Sequence, residues 1–320
     1  MQPDDLLAQK RFEFAAMLKE RGDISAAVSL YKETLELAPK WAEVHFALAE
    51  ALEETGEFDE ASQHYATYLR LAETDVMGAE IRLALLGNSP VPDVLPPAYV
   101  SELFDQYAER FEGALLGQLE YRAPQQLREA VELARPFTTT GEKILDLGCG
   151  TGLGGEAFLS RAASLYGVDL SAGMIAEARR KGIYTELREG EIVASLQEHK
   201  NAFDLIIAAD VLVYLGDLRP LFENVCEALS SEGLFAFTVQ KGDGEGFILG
   251  RECRYSHHPS YIADLVEETG FRLISMVDGV SRYEAGKAVE SLICVVQKPI
   301  CHVDLEVPLL ALGPKRPTAD

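Results

Sequence analysis

Positive charge is scarce in this chain. Its 320 residues hold 29 lysines and arginines against 52 aspartates and glutamates, a formal net charge of −23. Binding to nucleic acid or to an anionic membrane depends on neutralising phosphate charge. Neither partner is expected. Long apolar runs are missing as well. No stretch reaches the roughly 18 residues of a membrane-spanning helix, although a hydrophobic content of 48% is enough to bury a sizeable core. The start, Met1 to Asp5, is acidic where a secretory signal would be basic, so no signal peptide is expected. The five cysteines (149, 226, 253, 294 and 301) are odd in number and show no C-x-x-C spacing. That pattern argues for a reducing, cytoplasmic setting and against structural zinc. Among six histidines no H-x-x-x-H pair occurs, and no metal is expected. The single tryptophan, Trp41, reads as a packing residue.

What the chain does have is a glycine turn. Residues 144–155 read I-L-D-L-G-C-G-T-G-L-G-G. An apolar run carries Asp146 near its end; Gly148, Gly150 and Gly152 follow at alternate positions, and a helical pattern begins after them. Strand, tight turn and helix form a nucleotide-type site. Glycine lets the main chain touch a ligand, and the helix N-terminus offers unpaired N–H groups. The expected fold is an α/β, Rossmann-like sheet wound on both faces. Glycine spacing alone leaves a dinucleotide open. Counted from Gly148 and Gly150, Leu153 stands where G-x-G-x-x-G needs its third glycine; counted from Gly150 and Gly152, Gly155 completes it.

The stretch D-x-G-C-G-T-G (Asp146 to Gly152) resembles the first motif of the class I S-adenosylmethionine-dependent methyltransferases. The resemblance runs over roughly residues 99–298. It implies a seven-stranded, mostly parallel sheet with an antiparallel final strand, and S-adenosylmethionine as cofactor. Gly148, Cys149, Gly150, Thr151 and Gly152 would form the cofactor loop. Segment 164–169 would be the second strand, with Asp169 holding the ribose hydroxyls and Leu170 and Met174 following it. A vicinal diol suits an ionised carboxylate, which only accepts hydrogen bonds, although a ribose acid suits NAD equally. Glu191 and Ile192 fall where the family meets adenine. Phe203 to Ala208 reads as the fourth strand, followed by Asp210 near the methionine part. A helix over 218–229, a strand over 233–239, a helix around 261–268 and two β-rich segments (271–276, 291–297) complete the order. Aminopropyl transfer uses a similar fold, and an NAD-linked oxidoreductase is the other alternative.

A second module precedes this one. Ala15, Leu18, Glu20, Gly22, Ala27, Tyr31, Leu35 and Leu37 recur 34 residues later as Ala49, Leu52, Glu54, Gly56, Ala61, Tyr65, Leu69 and Leu71. That period belongs to the tetratricopeptide helix–turn–helix. Two repeats fall short of the usual three, so the helical segment 75–86 is expected to cap the array. The repeats suit either a protein partner or a structural role. The expected organisation is a helical-repeat domain over 1–86, a proline-rich linker over 87–98, the methyltransferase domain over 99–298 and an extended tail over 299–320.

The stretch Phe104 to Glu112, F-D-Q-Y-A-E-R-F-E, resembles the helix that precedes the domain in small-molecule methyltransferases related to the ubiquinone and biotin pathway enzymes. It implies a lid over the cofactor, with Tyr107 as its contact. The chain thus resembles methyltransferases carrying tetratricopeptide repeats. Catalytic candidates lie after the fourth and fifth strands, at the sheet edge where ligands bind. They are Tyr214 and His257, the latter within Arg254, Tyr255, His257 and Tyr261, an R-Y-x-H-x-x-x-Y pattern seen in relatives. The expected reaction is methyl transfer to a small molecule or a protein side chain. The alternative is a repeat-based interaction protein whose methyltransferase-like domain is inactive.

Overall fold

The structure is a computed structural model that describes residues 5–136, 141–284 and 286–300. Cys301 and most of the expected tail, residues 301–320, lie outside the described residues.

Five helices open the chain: α1 (Leu6–Glu20), α2 (Ile24–Leu37), α3 (Ala42–Thr55), α4 (Phe58–Leu71) and α5 (Ala79–Leu85). The repeat residues explain the packing. Ala15, Ala27, Ala49 and Ala61 are fully buried where helices approach closely, and Tyr31 and Tyr65 fill the grooves between them. Asp5 and Asp23 cap α1 and α2 through their side chains. Gly56 ends α3 in the left-handed conformation at φ 83°. Asp75 accepts from the backbone N–H groups of Gly78, Ala79 and Glu80 and so starts α5.

The expected lid helix is broken in two. It runs as α6 (Pro97–Asp105), a 3-10 turn over Ala108–Arg110, and α7 (Phe111–Gln118). The break comes where the Asp105 carboxylate turns toward the next module: it accepts from the Ser171 hydroxyl and, at 2.9 Å, from the Gly173 N–H. Then α8 (Ala123–Ala134) leads into the sheet.

The sheet elements follow in order: β1 (Glu142–Leu147), α9 (Leu153–Phe158), β2 (Ala162–Asp169), α10 (Ala172–Lys181), β3 (Glu186–Glu189), α11 (Ile192–Leu196), β4 (Phe203–Ala208), α12 (Arg219–Ala228), β5 (Leu229–Lys241), β6 (Phe247–Leu249), β7 (Tyr255–His257), α13 (Pro259–Glu268), β8 (Arg272–Glu284) and β9 (Lys287–Gln297). Strands β3-β2-β1-β4-β5 run parallel, and β9 inserts antiparallel between β5 and β8. These seven strands form the expected mostly parallel sheet with an antiparallel final strand. The short β7 extends it by pairing in parallel with the far end of β5, and β6 pairs antiparallel with β7. Side-chain alternation builds a core on each face. Leu205 and Ile207 of β4 join Leu127 and Val131 of α8; Ile206 and Ala208 face Leu221, Phe222 and Val225 of α12.

The proline-rich segment is not a free tether. Val94 bridges Leu215, the Leu95 N–H donates to the Tyr214 carbonyl at 3.0 Å, and the Gly216 N–H donates to Asp93 at 2.7 Å. The Tyr255 hydroxyl donates to the Pro92 carbonyl. Ile81 of α5, Leu95, Val100 of α6, Leu249 and Tyr255 share one buried cluster. The strap is thereby joined to the repeats on one side and to the sheet edge on the other.

Candidate functional site

The glycine turn connects β1 to α9 above the carboxyl edge of the sheet. Gly148 needs to be glycine on two counts: its φ is +62°, and a Cβ there would lie 2.3 Å from Val211 Cγ2. Gly155 is closed differently, since a Cβ would meet the Tyr184 hydroxyl at 2.4 Å. That hydroxyl donates to Asp146 Oδ2 at 2.7 Å. Burial, against the pull of this hydrogen bond, pushes the Asp146 carboxyl up to about 7. Asp146 therefore organises the turn from beneath.

Asp169 ends β2, where only 9% of its surface is exposed. Its Oδ2 accepts from the Gly150 N–H at 2.8 Å and its Oδ1 from the Ser171 N–H at 2.9 Å. Burial raises its pKa while these two N–H groups lower it. Each oxygen keeps a further lone pair for a ligand. Glu191 is committed in a similar way: its two oxygens accept from the Val193 and Ala194 N–H groups at 2.9 and 2.7 Å and cap α11.

These groups line one cavity of about 410 Å³. Of the residues singled out from sequence, Tyr107, Asp146, Gly148, Cys149, Gly150, Thr151, Asp169, Leu170, Met174, Glu191, Ile192, Asp210 and Tyr214 all face it. Gly152 does not; it sits behind the turn at φ 98° as the cap of α9. Cys149 is buried and its thiol is pushed well up by burial and by Asp146, which leaves it inert.

His257 is a correction. It is fully buried outside the cavity, its Nε2–H donates to the Gly216 carbonyl at 3.0 Å, and its ring stacks on Tyr261. Burial lowers its pKa to about 4. The parallel pairing of Lys241 with His257 sets it in the β5–β7 register, where the ring packs against Phe247 rather than toward the acceptor space.

The lid covers the cavity with aromatic side chains. Phe104 makes edge contacts with Phe111 and Tyr214 at 5.8 and 5.5 Å, and Tyr107 remains 53% exposed at the rim. Lys181, at the end of α10, ties the lid down: its Nζ lies 2.6 Å from both Glu112 and Glu156.

Sequence reasoning missed the far end of the cavity. Arg282 of β8 is 3% exposed and lines this end. Its Nη1 donates to Asp210 Oδ1 and Oδ2 at 2.7 and 2.5 Å, and its Nε donates to Glu284 Oε1 at 2.8 Å. Arg254 donates to that same Glu284 oxygen. Asp210, in the left-handed region at φ 59°, is thus held by a cation of the protein itself. Burial pushes its carboxyl up and Arg282 pulls it down. No local signal announces a pair 72 residues apart.

Residues 144–233 match the family described as "Methyltransferase domain", and residues 18–77 match "Tetratricopeptide repeat". A ubiquinone biosynthesis O-methyltransferase of Coxiella burnetii (strain RSA 331 / Henzerling II) is 31% identical over 166 residues, 45% of this chain and 69% of that protein. The chain belongs to the methyltransferase family. Aklanonic acid methyltransferase DauC of Streptomyces sp. (strain C5) is 30% identical over 150 residues, covering 43% of this chain and 64% of that one. The chain thus spans about two thirds of the length of these relatives. Among solved structures, a 1,6-didemethyltoxoflavin-N1-methyltransferase of Burkholderia thailandensis matches at TM-score 0.51 and 16% identity, covering 66% of this chain and 93% of that one. The [4+2]-cyclase SpnF matches at TM-score 0.51 and 16% identity, covering 63% and 96%. These likenesses establish the fold of the methyltransferase domain, and the cyclase illustrates that a fold alone does not fix a reaction.

Proposed function

We propose that the protein transfers a methyl group from S-adenosylmethionine to a small molecule. One observation carries this reading: a single cavity joins the glycine turn and Asp169 at one end to a lidded, arginine-bearing space at the other. The residues present fit the cofactor. Asp169 retains lone pairs for the ribose diol, Gly148 and Gly150 let the main chain approach, and Ile192, Leu170 and Met174 give apolar walls for adenine. Cys149 and Thr151 complete the loop.

The cofactor supplies a methyl group already activated by its sulfonium leaving group, so the protein mainly contributes proximity and alignment. Phe104, Tyr107 and Phe111 exclude water from above. Tyr214, in contact with Arg254, and Tyr121 shape the acceptor space. A cavity of this size suits a small acceptor better than a folded protein. Free thiols at 149, 253 and 294 support a cytoplasmic setting.

Calorimetry with S-adenosylhomocysteine tests the reading. Binding is expected, and Asp169→Asn, which removes charge but keeps size, should weaken it roughly tenfold or more, since a hydrogen bond to a charged group is worth about 1.5–3 kcal/mol. Unchanged affinity in that variant sinks the ribose assignment.

A second reading, a repeat-based interaction protein with an inactive domain, is favoured by one observation. Leu7, Phe14 and Met17 of α1 are exposed, an apolar surface available to a protein partner. It predicts no binding of the cofactor product at any concentration, together with partner capture by residues 1–87.

A further inference from the structure

The far end of the cavity holds a buried donor with nothing to donate to. Arg282 uses Nε on Glu284 and Nη1 on Asp210, but its Nη2 has no hydrogen-bond partner among the described residues and is closed off from solvent. A buried donor left unsatisfied carries a desolvation penalty, so such a group in a cavity wall calls for a ligand oxygen. A second guanidinium stands beside it. Arg254 and Arg282 both donate to Glu284 Oε1, which places the two cations around one atom. Both line the cavity. Asp210 and Glu284 balance these two charges and leave no surplus of negative charge to repel an incoming anion. The rest of this end is apolar or aromatic: Phe104, Tyr121 and Tyr214.

We propose that the methyl acceptor is a flat, apolar-bodied molecule bearing a carboxylate, which docks its two oxygens on Arg282 Nη2 and Arg254. The argument rests on the methyltransferase reading above and adds to it the chemical class of the acceptor. A carboxylate is planar, has two oxygens and matches the guanidinium fork, whereas a single neutral carbonyl satisfies one donor and gains less. Aromatic walls favour a ring system behind that group. Arg282 acts here as a specificity determinant; no role in bond making is assigned to it.

Four matched probes test this on the full chain loaded with S-adenosylhomocysteine: 2-naphthoate, 2-naphthamide, 2-naphthol and 2-naphthylamine. Calorimetry should show 2-naphthoate binding roughly tenfold or more tightly than the other three, the margin expected of charge-assisted over neutral hydrogen bonds. Arg282→Lys keeps a cation for Asp210 but removes the free Nη2, and should erase most of that preference. Arg254→Gln should reduce it independently, which guards against a poorly folded Arg282 variant. Equal affinity across the probes, tighter binding of the phenol or amine, or no detectable 2-naphthoate binding overturns the proposal, provided the wild-type chain binds S-adenosylhomocysteine. If it does not, the methyltransferase reading itself has failed.

Discussion

At the scale of single residues, the acids of the site differ in what the protein does to them. Asp169 and Glu191 have their charge shared among backbone N–H groups, and Asp210 is clamped by Arg282. Asp146 is buried deeply enough that desolvation outweighs the Tyr184 hydroxyl and the Gly155 N–H that hold it, which pushes it up to about 7. The folded chain therefore binds this proton more tightly than the unfolded chain does. Asp146 contributes stability when protonated, below the ordinary carboxylate range, and that contribution fades as pH rises through about 7. Asp146→Asn, a mimic of the protonated acid, should fold with little loss, and its Tm should fall less than the wild type's between pH 6 and 8. Parallel melts that track each other would count against a perturbed Asp146. The acids of the glycine turn were visible in sequence because each sits at a strand end just before a turn or helix. Arg282 was not, since it lies inside an ordinary-looking strand and its partner is on another.

At the scale of elements, the repeats contain a proton-sensitive joint between α3 and α4. His45 Nε2–H donates to the Pro39 carbonyl at 3.1 Å, which leaves its Nδ1 to accept. His64 Nδ1 lies 2.8 Å away and must be the donor, so the pair is held together by one proton with both rings neutral. Burial lowers both pKa values; the Arg70 charge lowers that of His45 further, and His45 lowers that of His64 further. The unfolded chain then takes up protons first. The stabilisation is complete above the ordinary histidine value of about 6.5 and erodes as pH falls below it. Lowering the pH from 7.5 to 5.5 should cost the wild-type protein more in Tm than a His45→Asn/His64→Asn variant. An equal drop in both rules this joint out. The 34-residue period made these helices legible, but the pairing of two histidines 19 residues apart follows from helix packing that no period encodes. The β6–β7 hairpin is equally silent in the sequence. Its strands are three residues long and carry no alternation to detect. Beyond the residues read as β, β8 and β9 continue through polar positions because they pair with each other all the way to the hairpin tip.

At the scale of the whole molecule, the linker is the part sequence described least well. Its prolines announce a break between helices, but not that the chain there would pair with Leu215 and line the cavity through Val94 and Leu95, nor that Pro97 would already open α6. That contact is made across more than a hundred residues. A fragment starting at residue 88 should retain S-adenosylhomocysteine binding. One starting at residue 99 lacks the strap and exposes Tyr255 and Leu249, so it should melt several degrees lower and bind more weakly. Melting curves and calorimetry on the two fragments decide this, and indistinguishable behaviour would mean that the strap is ornamental. If the wall does belong to the strap, acceptor preference is written partly outside the catalytic sheet. Two relatives with near-identical sheets but different N-terminal arms would then favour different acceptors, and exchanging the arm through Pro97 in a chimera should carry some of that preference with it.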